Sequence, residues 1–281
     1  MAVRIITDSA CDLELSKRAE WNIDILVLRV FFGEDAYVEG ENMTRPEFYD
    51  RLRAAEELPK TAQITPMEFE EVMRPYVEAG DEIVVLPLSK ELSGTYSSAV
   101  IAQQAFPDAE IFVVDTLNVT FGLAALVAEA VRLRDGGYRA AEIAKRIQAL
   151  STRVRLCAVV DDLKYLKMGG RLSSAGAVVG SLLGIKPIVA IQEGKVVCVH
   201  KTRGLKAGFE YVAEQLSSAD VDESMPVWFG HSDALERMEE LIHCANKKKT
   251  LPDIRRCDIG PVVGTHAGPG CTGVVYFIKE S

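Results

Sequence analysis

Three short stretches of the chain gather hydroxyl groups: Thr7-Asp8-Ser9, the run from Ser89 through Ser93-Gly94-Thr95-Tyr96 to Ser98, and Asp115-Thr116. Each follows a β-rich run, and in parallel α/β sheets ligands collect beyond the carboxyl ends of the strands. Hydroxyl donors, a glycine that lets the backbone come close, and a helix opening just after Gly94 together describe a site for a small anion or carboxylate. For any single hydroxyl, helix capping by Ser93 or Thr95 is the plainer explanation. A second unusual stretch, Gly260 to Gly270, surrounds His266 with glycines and prolines and reads as a built loop. His266 is there either a turn histidine bonded to backbone or a neutral donor or acceptor facing a ligand, since its unperturbed pKa lies near neutrality.

Other chemistries are excluded or left unsupported. Gly268 to Gly273 spell a literal G-x-G-x-x-G, but Pro269 sits inside it and Val274 to Ile278 reads as a strand, so the strand-loop-helix setting of a dinucleotide site is missing. No G-x-x-x-x-G-K-[ST] loop, G-x-S-x-G elbow or H-E-x-x-H helix occurs. A hydrolase triad of Ser93, His266 and Asp115 is conceivable, because triads are defined by geometry and take any chain order, yet no spacing brings the three together. The six cysteines, at 11, 157, 198, 244, 257 and 271, form no Cys-x-x-Cys pair, and most of them read as small core residues in a reducing compartment with no metal expected.

The elements that must position these groups follow from the rest of the chain. With 281 residues, 48% hydrophobic and 26% charged, the sequence is that of a globule of one large or two medium domains. A net charge of −9 argues against nucleic-acid binding. Uncharged apolar runs such as Leu172 to Ile185 fall short of a membrane span, and Asp8 and Asp12 interrupt the opening stretch where a signal peptide would be apolar, so a cytoplasmic protein is expected.

Strands are expected at Val3 to Ile6, Ile23 to Phe32, Glu82 to Leu88 and Glu110 to Val114. Capped helix starts stand at Thr44-Arg45-Pro46-Glu47, ending near Leu58, and at Thr65-Pro66-Met67-Glu68, ending near Ala79. Helices follow at Ala124 to Arg134 and Arg139 to Leu150. This alternation builds a parallel sheet. From about residue 154 the pattern changes: a hairpin, Ile185 to Ile191 and Val196 to His200 around Glu193-Gly194, then helices near Leu205 to Ser217 and Ala234 to Ala245 flanking a strand at Val227 to Gly230, and closing strands at Asp253 to Asp258 and Gly273 to Ile278. We expect residues 1–153 to form an α/β/α domain and 154–281 an α+β domain with a mostly antiparallel sheet. Residues to 153 carry 16 basic and 26 acidic side chains, the remainder 16 and 15. Lys164, Lys167, Arg171, Lys201, Arg203 and Lys206 fall in two short stretches that read as a solvated face or as a docking face for an acidic partner or anion. The small, apolar run from Ala175 to Ile191 suits either a greasy slot or a buried helix and strand.

Five stretches together, Thr7-Asp8-Ser9 with Asp12-Leu13, Thr61-Ala62-Gln63, Leu92-Ser93-Gly94-Thr95-Tyr96, Leu163 to Ser173 and Gly264-Thr265-His266-Ala267-Gly268-Pro269-Gly270, closely resemble the DegV family from the first strand to the last. The resemblance implies two α/β domains with a long-chain fatty acid buried between or within them. It implies a fatty-acid-binding subunit of a bacterial fatty acid kinase, without catalytic residues or cofactor of its own. The acyl carboxylate would be held by Ser93 with Gly94 and by Thr61, with His266 in the same polar network. Arg171 and Arg203 would face a separate ATP-binding kinase subunit that forms the acyl phosphate, and transient membrane contact stays open. Two positions depart from the family pattern: Ala62 lacks a hydroxyl, and Met168 stands where a basic residue often precedes the glycines. A hydrolase or transferase using Ser93 with His266 is the alternative, and a small-carbonyl binder, by a distant architectural likeness to dihydroxyacetone kinase subunits, is a third.

Overall fold

The computed structural model describes residues 2–173, 184–251 and 253–280. In chain order its strands are β1 (Val3–Asp8), β2 (Ile23–Leu26), β3 (Arg29–Phe32), β4 (Asp35–Val38), β5 (Lys60–Ala62), β6 (Glu82–Leu86), β7 (Ile111–Val113), β8 (Val154–Val159), β9 (Ile185–Gln192), β10 (Lys195–Arg203), β11 (Val227–His231), β12 (Ile254–Asp258) and β13 (Thr272–Phe277). Its helices are α1 (Lys17–Glu20), α2 (Arg45–Ala54), α3 (Pro66–Glu78), α4 (Thr95–Gln104), α5 (Thr120–Asp135), α6 (Ala140–Ser151), α7 (Lys164–Met168), α8 (Leu205–Ser218), α9 (Leu235–Lys248) and α10 (Pro261–Ala267).

The first half builds a parallel sheet in the order β2-β1-β6-β7. Every residue of β6 is buried, as expected of a strand covered on both faces. A small antiparallel sheet, β4-β3-β5, accompanies it. The second half forms the six-stranded sheet β10-β9-β8-β13-β11-β12, antiparallel except between β11 and β12. The expected fold class is therefore present: a parallel α/β region followed by a mostly antiparallel α+β region.

Local chemistry explains the element boundaries. At α2 and α3 the threonine hydroxyl accepts from the glutamate backbone N–H three residues on. The glutamate carboxylate in turn accepts from the threonine backbone N–H, at 2.9 Å for Thr44 and 2.8 Å for Thr65. Helix α5 is apolar almost all round and buried along most of its length. It packs against the second sheet where β11 carries Gly230, at which a Cβ would lie 2.3 Å from the Phe121 ring. One apolar core accordingly runs through both halves.

Several expectations need correction. The strand expected over Ile23 to Phe32 is two strands in different sheets, because the Leu28 N–H leaves the ladder to bond Ser9 Oγ at 3.0 Å. Helix α2 stops at Ala54, short of Leu58, where Ala55 turns extended. Gly260 to Gly270 is not a loop throughout: Pro261 opens α10 and Gly268, at φ 73°, closes it. Of the apolar run 175–191, the portion up to Leu183 lies outside the described residues, and the remainder from Ile185 forms β9.

Candidate functional site

A cavity of about 180 Å³ opens among α10, the starts of α4 and α5, β5 and the inner strands of the second sheet. Its polar lining residues touch one another. Thr61 Oγ1 and His266 Nε2 are 3.0 Å apart. Arg171 donates from Nε to the Leu92 carbonyl at 3.2 Å and from Nη1 to the Gly169 carbonyl at 2.6 Å, which pins the guanidinium beside His266. Ser93 Oγ lies 3.0 Å from Thr95 Oγ1 and accepts from the Thr95 N–H, so it sits at the mouth of α4. Gly94 is in contact with Gln63: a Cβ there would fall 2.0 Å from Gln63 Oε1, whose amide nitrogen donates to Ser98 Oγ at 3.1 Å. Apart from Thr120 the rest of the wall is apolar, with Leu156, Val160, Val189, Ile191 and Val196 from the second half.

Burial and the neighbouring Arg171 cation pull the His266 pKa down to about 4, so its ring is neutral near pH 7. Its Nδ1 is buried without a partner. The tautomer that fits carries the proton on Nε2, donates it to Thr61 Oγ1, and leaves the Thr61 hydroxyl proton free for a ligand; an unpartnered lone pair on Nδ1 then faces Gly169. The close approach of that ring depends on Gly169, where a Cβ would lie 2.3 Å from Nδ1. The arrangement offers hydroxyl donors and a cation at one end of an apolar hole, which is chemistry for a carboxylate with a hydrocarbon tail.

Thr61, the adjacent pair Ser93 and Gly94, and His266, singled out from three widely separated places in the sequence, therefore meet in one cavity wall. Arg171, expected on a docking face, is half-buried and lines the same cavity, whereas Arg203 ends β10 exposed and away from it. Lys164, Lys167 and Met168 are exposed on α7. Two of the three hydroxyl stretches are internal fastenings. Asp8 accepts from the N–H groups of Ala10 and Leu88 at 2.9 and 2.8 Å, and burial pushes its pKa up to about 7. Thr7 and Thr116 donate to the Leu86 and Pro87 carbonyls. The triad is not assembled either: Asp115 accepts from the Lys90 and Leu117 N–H groups, and neither Ser93 nor His266 bonds it or the other. Gln63 and Thr120 are lining residues that sequence reasoning left out of the site. Gln63 had a signal, standing two residues beyond Thr61 on the same face of an extended segment. Among the described residues no cluster of His, Cys, Asp and Glu could hold a metal, and no helix is long and apolar enough to cross a membrane.

A family model described as "DegV: Uncharacterised protein, DegV family" matches residues 2–279. A DegV domain-containing protein of Halalkalibacterium halodurans is 33% identical over 283 residues, covering 99% of each chain. Among solved structures, a fatty-acid-binding DegV family protein from Thermus thermophilus superposes with a TM-score of 0.90 at 27% identity, covering 99% of this chain and 100% of that one. A stearic-acid-binding protein from Eubacterium ventriosum superposes at 0.83 with 28% identity, covering 99% of each.

Proposed function

The chain belongs to the DegV family, and we propose that it is a long-chain fatty-acid carrier that holds the acyl carboxylate at Thr61, Ser93, Gly94 and His266 and the tail in the apolar part of the same cavity. The observation that carries this reading is the polarity of the cavity, with Thr61, Ser93, His266 and Arg171 gathered at one part of the wall and, Thr120 apart, apolar side chains elsewhere. At about 0.8 kcal/mol per buried methylene, a long tail contributes on the order of 10 kcal/mol before immobilisation costs. The headgroup then needs only hydrogen bonds from Thr61 and Ser93, with Arg171 supplying positive potential beside them. Binding of stearic acid by the similar protein from Eubacterium ventriosum is in keeping with this chemistry.

The remainder of the proposal concerns what happens to the bound acid. The carboxylate lies at the Arg171 end of the cavity, where a separate ATP-dependent kinase subunit would phosphorylate it, so phosphoryl transfer belongs to the partner and not to this chain. Docking rests on Arg171 at the cavity, on the exposed Lys164 and Lys167 of α7, and on exposed Arg203 at the end of β10. The six free thiols suit a reducing, cytoplasmic setting. The division after residue 153 rests on strand pairing, since among the described residues no ladder crosses it. Solvent extraction of purified protein followed by mass spectrometry tests the reading: a co-purifying fatty acid supports it, and an empty cavity with turnover of an activated ester favours the hydrolase instead.

A further inference from the structure

The inner face of the second sheet carries a row of small residues. Register pairs Val189 of β9 with Ala158 of β8, Ala158 with Gly273 of β13, and Gly273 with Gly230 of β11. Directly opposed residues point to the same face of a sheet, and Val189 and Ala158 line the cavity. The two glycines therefore continue the cavity floor toward β11 without side chains of their own. The Phe121 ring occupies that continuation. It is 1% exposed, lines the cavity, and lies so close to Gly230 that a Cβ there would be 2.3 Å from Cδ1, 2.4 Å from Cε1 and 3.0 Å from Cγ.

The backbone does not require glycine at 230. Gly230 does not adopt a positive φ, so the strand would accept alanine there. Glycine inside a strand weakens it, and often marks a point where another group approaches closely. Here that group is the ring. The ring also stands at the far side of the sheet from the headgroup. Next to Arg171, Leu172 bridges Val196 of β10, and the Ser173 N–H donates to the Val196 carbonyl at 2.9 Å. From β10 the order runs through β9, β8 and β13 to β11. Four strand spacings of about 4.8 Å separate β10 from the β11 position under Phe121 by about 19 Å. A zigzag chain of carbon–carbon bonds advances about 1.3 Å per carbon, so that span takes on the order of 15 carbons.

We propose, resting on the fatty-acid reading, that Phe121 is the stop for the methyl end of the acyl chain and that Gly230, outside the cavity, is the positioning residue that sets the depth of that stop. A straight chain with its carboxylate at Thr61 and Ser93 runs across the strands and ends against the ring. Any side chain at position 230 would push the ring off the sheet floor. The surrounding interior is close-packed, so the space left to the ring is the cavity itself. Restoring an ordinary contact of about 3.5 Å moves the ring by roughly 1 Å, close to one carbon of chain. Gly230 thereby decides which chain lengths are accepted without touching any of them.

The test measures the affinities of straight-chain saturated acids from twelve to twenty carbons, by competition against a fluorescent fatty acid. In wild type each added carbon should raise affinity about fourfold, the worth of one buried methylene, until the chain meets Phe121, and beyond that length affinity should fall. Gly230→Ala should move this break one or two carbons shorter and leave the shorter acids bound as in wild type. A glycine that served folding alone would on substitution weaken every length alike. Adding Phe121→Leu to Gly230→Ala should return the break to its wild-type length or beyond. Phe121→Leu alone, which carries the test should Gly230→Ala fail to fold, should move the break to longer acids. The proposal is overturned if wild type shows no break, if Gly230→Ala weakens all lengths equally or leaves the break in place, or if Phe121→Leu fails to lengthen it. Wild type binding no acyl probe at all would remove the fatty-acid reading itself and this inference with it.

Discussion

Gly169→Ala probes the headgroup without replacing any group that would contact the ligand. Gly169 has φ −73° and ψ −6°, which alanine adopts freely, so the backbone conformation itself costs nothing. Losing a glycine's freedom in the unfolded chain even favours the variant by about 0.4 to 1 kcal/mol. The new methyl, however, would sit 2.3 Å from His266 Nδ1 and 3.1 Å from Cε1. Restoring an ordinary contact of about 3.5 Å requires the ring to retreat by roughly 1 Å. The Thr61 to His266 bond, now 3.0 Å, then opens beyond hydrogen-bonding range. Thr61 loses the donor that holds its own proton toward the ligand, at a cost of about 1.4 kcal/mol, or tenfold in fatty-acid affinity. The lost bond and the unfolded-state gain nearly offset each other, so the melting temperature should move by only a few degrees. Fluorescent fatty-acid titration alongside thermal melting checks both numbers. Wild-type affinity in Gly169→Ala, with the Thr61–His266 bond broken, would refute the relay from His266 through Thr61.

Thr61→Val and Ser93→Ala should each weaken fatty-acid binding by roughly 1.5 to 3 kcal/mol in isothermal titration, and unchanged affinity in the double variant would take both out of the headgroup. Two opposed contributions to the pH dependence of stability can be isolated by substitution, while Asp8, also pushed up to about 7, adds a background of the same sign as Asp12. His266 refuses in the fold a proton that it accepts when unfolded, so its contribution is complete above about 6.5 and is lost as pH falls toward about 4. Asp12 holds its proton more tightly folded, so its contribution is present below about 3.8 and is lost as pH rises to about 7. Urea midpoints measured from pH 4 to 8 should flatten on the acid side in His266→Gln and on the neutral side in Asp12→Asn, and profiles parallel to wild type would count against both shifts. Arg203→Ala should slow acyl-phosphate formation by an added kinase while leaving fatty-acid affinity intact, with a weaker salt dependence than wild type. A parallel loss of affinity would reassign it to folding.

How much of this was legible beforehand follows from which interactions are local. The capping boxes at Thr44 and Thr65 and the hairpin at Glu193-Gly194 are set by residues a few positions apart, and they appear where the sequence places them. The break at Leu28 depends on Ser9, 19 positions away, so a continuous β-rich run reads as one strand when it is two. The helix at Pro261 to Ala267 was hidden by its glycines, although proline at the start and glycine just past the end are themselves boundary signals. Gathering Thr61, Ser93, Gly94 and His266 needed the family resemblance, because no spacing in one chain brings such distant positions together. Arg171 shows the same limit from the other side. Its position in a basic stretch suggested an outward face, and only the carbonyls of Leu92 and Gly169 turn it to the cavity.

A crystal structure of the protein with stearic acid soaked or co-purified tests the central claim most directly. The account predicts one acyl chain in this cavity, its carboxylate within hydrogen-bonding distance of Thr61 and Ser93 and beside Arg171, and its tail among Val160, Val189 and Ile191. A carboxylate bound elsewhere, or a cavity holding only water while the acid binds in solution, would contradict it.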